Sequence, residues 1–213
     1  MLEQSQSSQS SFQGLLGVSQ ASTPGQPALP NAEKELTNIE QLGSRLHVHS
    51  LPGKLATVEN VVEKMEQCSW VHLACHATQD TADPLHSAFC FHDGKLTLSK
   101  IITKSFPHAD FAFLSACQTA TGDANLSEEA VHLAAGMLSA GYRSVIATMW
   151  SIRDCDAPLI SSEVYCRLMD CPSPDSTRAA HALHHAVKAL RDKLEKSGER
   201  SFPSWVPFIH VGM

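Results

Sequence analysis

The sequence is poor in most features that assign a function at a glance. Aromatic residues make up 6% and charged residues 18% of the 213-residue chain. No run approaches the roughly 18 apolar residues of a membrane helix, so no membrane association of that kind is expected. No Lys/Arg block interrupts a net charge of −6, which argues against nucleic acid or an anionic membrane surface as a partner. The opening MLEQSQSSQSSFQ has neither a basic start nor an apolar stretch, so it does not read as a secretory signal. There is no CxxC, and neither Cys68 with Cys75 nor Cys166 with Cys171 has zinc-knuckle spacing. Nothing repeats at a period of roughly 20–50 residues.

What is present is a globular composition, with 43% apolar residues. Seven cysteines and twelve histidines are the unusual counts. An odd number of cysteines cannot pair completely within one chain. Cys75, Cys90 and Cys166 lie inside apolar runs, where a free thiol behaves as a small buried hydrophobe. A reducing compartment, the cytosol or nucleus, is the expected location. His181, His184 and His185 could place two imidazoles on one helix face. The plainer reading is an exposed histidine-bearing helix, and neither a metal nor a cofactor is expected.

Nine of the first thirteen residues are Gln or Ser, so residues 1–13 read as a disordered tail before one domain at 14–213. Strand and helix patterns alternate through that domain. Apolar runs at 14–19, 70–75, 110–115 and 143–149 read as strands, the middle two buried on both faces. The proline-rich STPGQPALP at 22–30 reads as a loop, followed by a helix capped by Asn31 with Glu33 and Glu35 in its first turn. Thr57 to Cys68 has a helical apolar stripe, Asp93-Gly94 marks a hairpin, and Ser127 caps a helix through Ala140. Helices at about 156–170 and 176–195 and a strand at 205–211 close the chain, Pro207 indicating an edge strand or an irregularity. The class is α/β, a mainly parallel central sheet flanked by helices on both faces.

In such sheets functional groups gather at the carboxyl ends of strands. The 70–75 strand runs into His76 and the 110–115 strand into Cys117. Side by side, they would give a thiol its general base on a rigid frame. An imidazole beside a cysteine favours the thiolate, which is the attacking form. With so many cysteines and histidines some well-placed pair arises by chance; a buried structural thiol and a hydrogen-bonded loop histidine are the plain alternative. Gly136 and Gly141 form GxxxxG, but Tyr142 replaces the lysine of a phosphate loop, so nucleotide binding is not expected.

VHLACHATQDTADPLHSAF at 71–89 resembles the histidine block of CHAT domains, the caspase-like domains often attached to helical repeat arrays. FLSACQTATGD at 113–123 resembles their cysteine block, and AVHLAAGMLSAGYRSVIATMWSIRD at 130–154 the elements that follow. Residues 16–36 look like the family's opening strand, loop and first helix, especially in fungal members, and WVPFIHVG at 205–212 like its closing strand. The resemblance implies a caspase–haemoglobinase-like sandwich and a cysteine endopeptidase acting through a dyad of His76 and Cys117. It implies backbone oxyanion donors at Ala77 and Cys117, a protein or peptide substrate, and a helical-repeat segment or partner as regulator.

Two points of sequence qualify that expectation. Most caspase-like enzymes read His-Gly where this chain reads His76-Ala77. If the site needs a positive φ there, alanine costs about 1–2 kcal/mol. An inactive CHAT domain serving as an interaction or signalling module is therefore the alternative. Asp154 and Asp156, after Met149-Trp150-Ser151, look like the loop that takes a basic P1 side chain in separases. A carboxylate in a cleft would favour arginine through paired hydrogen bonds; acids near a helix start are the ordinary alternative.

Overall fold

A computed structural model describes residues 12–43, 46–80, 82–118, 130–199 and 202–213. The chain opens with β1 (Leu15–Ser19), α1 (Pro30–Gln41), β2 (Val48–Pro52), α2 (Val58–Gln67) and β3 (Trp70–Thr78). A hairpin of β4 (Ala88–Cys90) and β5 (Lys95–Thr97) follows, then α3 (Leu98–Ile102) and β6 (Phe111–Gln118). The second half holds α4 (Ala130–Ser139), β7 (Ser144–Thr148), α5 (Ala157–Leu168), α6 (Ala179–Lys196), α7 (Phe202–Trp205) and β8 (Phe208–Gly212).

The strands form one sheet in the order β2-β1-β3-β6-β7-β8, with β4 on β3 and β5 on β4. Every neighbour from β2 to β7 is parallel; β8 is antiparallel to β7 and forms the edge, beginning just after Pro207. A proline lacks a ladder donor, which suits it to the start of an edge strand.

Alternation along the central strands divides the core in two. Val71, Leu73, Cys75 and Ala77 of β3 join Val61 and Met65 of α2 and Met137 of α4 on one face. Trp70, Phe111, Phe113 and Ile146 join Ile39 of α1, Ile160 and Tyr165 of α5, and Leu190 of α6 on the other. Thr57 caps α2 by accepting from the Asn60 N–H at 3.2 Å.

The structure departs from the sequence reading at several places. β3 and β6 run on to Thr78 and Gln118, past His76 and Cys117. β1 ends opposite Ala74, and β4 takes the edge it leaves by pairing with His76, Ala77 and Thr78, so the ladder continues. Asn31 is not the cap of α1. Pro30 begins that helix, and the Asn31 N–H donates to the Asp154 carboxylate at 3.0 Å. Residues 1–11 of the expected tail, the Ser127 cap and the Thr119–Gly122 loop lie outside the described residues. Phe12, counted with the tail, packs edge-on against Trp70 at 5.1 Å, and the Gln13 N–H donates to Ser69 Oγ at 2.9 Å.

Phe111 is fully buried, with its ring 5.3 Å from Trp70 and 6.2 Å from Tyr165. Phe111→Ala should lower folding stability by about 3–5 kcal/mol, read as a fall in the urea midpoint.

Candidate active site

The pairing of β3 with β6 sets Trp70 against Phe111 and continues without a break to Ala77 against Gln118. Within that ladder His76 stands opposite Cys117. The two residues expected at neighbouring strand ends are thus neighbours in register, inside the strands. What the structure fixes for Cys117 is this register position.

The His76 side chain is 2% exposed. Its Nε2 lies 2.8 Å from the carbonyl oxygen of Pro27. A carbonyl only accepts, so this contact puts a proton on Nε2. In the neutral ring Nδ1 then carries the lone pair, and among the described residues the buried Nδ1 has no hydrogen-bond partner. A buried, unpartnered, basic nitrogen beside the register position of a cysteine is what a proton-accepting site requires.

Pro27 belongs to the loop between β1 and α1. Gln20 N–H donates to Ala74 O at 2.8 Å, and Leu29 N–H to Ala21 O at 2.9 Å. Gly25 supplies a turn at φ +76°, and Leu29 and Ala32 pack on Ala74. Together these tie the loop down over the end of β1 and hold the carbonyl at His76. Side-chain motifs could not reveal this partner, because it is a main-chain oxygen. The only signal was a three-proline loop placed between the first strand and the first helix.

Ala77 has no positive φ; His47 is the only non-glycine with one among the described residues. Ala77 is 1% exposed, with its methyl in the core on the face opposite His76. It is flanked by Phe89 of β4 and Gln118 of β6, so its N–H lies in the plane of the sheet and is directed at one of those strands. The strain that a positive φ would bring is thus absent, and alanine fits this extended position.

The two aspartates have different surroundings. The half-buried Asp154 carboxylate accepts from Asn31 twice, from N–H at 3.0 Å and from Nδ2 at 2.6 Å. It therefore meets the chain four residues after Pro27. Asp156 is fully buried and pairs with Arg153 Nε at 2.9 Å and Lys193 Nζ at 3.7 Å. Glu199 and Asp156 hold the Arg153 guanidinium pKa above its ordinary value. Asp156 is thus neutralised by the chain's own cations, whereas Asp154 is held by Asn31.

Three other cysteines differ from a nucleophile. Burial pushes the Cys68 thiol up to about 11, and burial raises Cys90 and Cys166 as well. Among the described residues no three His, Cys, Asp or Glu side chains converge as a metal site. His181 and His185 lie Nε2 to Nε2 at 3.2 Å, and the His184 ring stands 5.5 Å from that of His185. No described helix is long and apolar enough to cross a membrane.

A mainly parallel sheet between two helical layers, with a histidine and a cysteine in register on its central strands, defines a caspase-like fold. Comparison with solved structures agrees. The chain is similar to the complex of the pro- and mature domains of RgpB from Porphyromonas gingivalis, at 12% identity and a TM-score of 0.58 over 94% of this chain and 47% of that one. It is also similar to the Arg-specific cysteine proteinase gingipain R, at 14% identity and a TM-score of 0.53 over 94% and 46%. The chain spans about half the length of these relatives. No curated protein matches it. The CHAT domain model matches residues 1–213, and the chain belongs to the CHAT domain family.

Two outcomes follow from this geometry. Ala77→Gly should leave thiol reactivity unimproved and lower stability by about 1–2 kcal/mol, from a lost buried methyl and added chain entropy; thermal melts beside alkylation rates check this. In the native chain at pH 7, Cys68 should resist iodoacetamide, since a thiol with its pKa near 11 holds little thiolate. Peptide mapping of the alkylated protein reads this directly.

Proposed function

We propose that this CHAT domain is a cysteine endopeptidase in which Cys117 is the nucleophile and His76 its base. The observation that carries the reading is the His76 imidazole, buried, oriented by the Pro27 carbonyl, and left with an unpartnered Nδ1 in register with Cys117. In the first step Nδ1 takes the thiol proton and the thiolate adds to the scissile carbonyl carbon. The Cys117 backbone N–H is the donor that we assign to the oxyanion. As the tetrahedral species collapses, the Nδ1 proton passes to the leaving amine and a thioester remains. Water then attacks the thioester with Nδ1 accepting its proton, and the thiolate leaves with the carboxylic acid product. Throughout, Pro27 keeps the other ring proton on Nε2, the side away from the chemistry.

For specificity we assign a basic P1 residue to Asp154. A half-buried carboxylate held by Asn31 can accept paired hydrogen bonds from a guanidinium. The arginine specificity named for the structurally similar gingipain R supports the same assignment. Asp156, paired with Arg153 and Lys193, would hold the loop in place. Six cysteines among the described residues stand outside any disulfide, which supports a reducing compartment that we take to be the cytosol. Control by a helical-repeat segment or partner fits the same reading. The alternative, an inert interaction module, draws on Ala77 and on the lack of a repeat array in this sequence; of these, Ala77 is extended and unstrained.

The test is cleavage of a diverse peptide library. Cys117→Ala should abolish cleavage, and His76→Ala should lower kcat by roughly 10²–10⁴-fold. Asp154→Ala should erase preference for Arg and Lys at P1 while other peptides are still cut. Equal cleavage by wild type and Cys117→Ala would overturn the peptidase assignment.

A further inference from the structure

Beneath the dyad lies a buried polar chain that the mechanism does not use. Glu35 of α1 is 2% exposed. Its Oε1 accepts from Ser115 Oγ at 2.9 Å, and its Oε2 lies 3.4 Å from His72 Nε2. His72 Nδ1 meets the Tyr165 hydroxyl of α5 at 3.2 Å, and its ring stacks near Phe113 at 5.0 Å. All four residues are buried, so a carboxylate, an imidazole, a phenol and a hydroxyl share one dry layer. A buried charge is costly unless paired, and an apolar core would avoid it.

The placement of the chain suggests its use. Ser115 is two residues before Cys117 on β6, and His72 is four residues before His76 on β3. Glu35 therefore keys α1 to both strands that carry the dyad. One turn towards its start, the same helix presents Asn31 to Asp154, and just before it the chain presents Pro27 to His76. Apolar packing alone would let the helix slide along its axis. Two directional contacts to two strands fix that position, and with it the reach of Pro27 O to Nε2.

We propose that Glu35 is a positioning residue, whose hydrogen bond to Ser115 and close approach to His72 set the register of α1 and so the orientation of His76. The inference rests on the peptidase reading above. No titration of Glu35 is required. The polar groups facing it are His72 from β3 and Ser115 from β6, with Tyr165 of α5 acting through His72.

The experiment compares wild type, Glu35→Gln and Ser115→Ala, with Glu33→Gln as an exposed control on the same helix. Two quantities are read in each: the pH profile of Cys117 alkylation by iodoacetamide, and kcat and KM on the best library peptide. Glu35→Gln should label Cys117 at least tenfold more slowly at pH 7. The midpoint of its profile should move up towards that of a free thiol. Its kcat should fall at least tenfold, with KM within about twofold. Ser115→Ala should shift the same quantities by less, and it serves in place of Glu35→Gln if that variant does not fold. Glu33→Gln should match wild type. A folded Glu35→Gln or Ser115→Ala with a wild-type profile and kcat overturns the positioning role and leaves the peptidase reading intact. A wild-type chain that neither labels rapidly at Cys117 nor cuts any peptide overturns the peptidase reading, and the positioning role with it.

Discussion

The parallel pairing of β3 with β6 is the constraint on which the rest depends. Eight successive register pairs, from Trp70–Phe111 to Ala77–Gln118, lock the two strands together along nearly their whole length. Because both faces of this pair are covered by helices, each strand must be apolar on alternate positions of both faces, which the sequence supplies. A slip of one residue would move Trp70 and Phe113 into the wrong half of the core and would separate His76 from Cys117. The packing that stabilises the fold and the juxtaposition that defines the site are therefore one arrangement, and selection for either preserves the other.

Much of this was legible in the chain. The buried strands announced themselves as unbroken apolar runs, Asp93-Gly94 as a turn, and His76 and Cys117 as polar residues closing two such runs. The strand ends were not legible. Whether β3 stops at Cys75 or runs to Thr78 depends on whether another strand takes the edge beyond Ser19, and β4 does so from fourteen residues downstream of Ala74. Local pattern carries no record of that partner.

Polar residues were misread for a different reason. Glu35 looks like an acid placed for a helix dipole, as Glu33 does, yet one is buried against His72 and the other is exposed. The difference lies in which face of α1 meets the sheet, and only the assembled layers decide it. Asn31 looked like a cap because its side chain can accept; instead it donates to Asp154, more than a hundred residues away. Asp156 could be read as a partner for a substrate or as an acid at a helix start, and in the fold it pairs with Arg153 and Lys193. In each case the residue type was informative about polarity and silent about the partner.

The antiparallel closing strand has a consequence for how this domain can be built into a larger chain. Leu15, Trp70, Phe111, Ser144 and Gly212 lie in one row across the sheet, at the start of the parallel strands. His76 and Cys117 lie six residues further along, roughly 20 Å away at the rise of a strand. Because β8 reverses direction, the chain leaves the domain at the same edge where it enters. Whatever is joined on either side is anchored at that far edge, behind the site. A segment that reached His76 from that edge would have to run the length of the sheet.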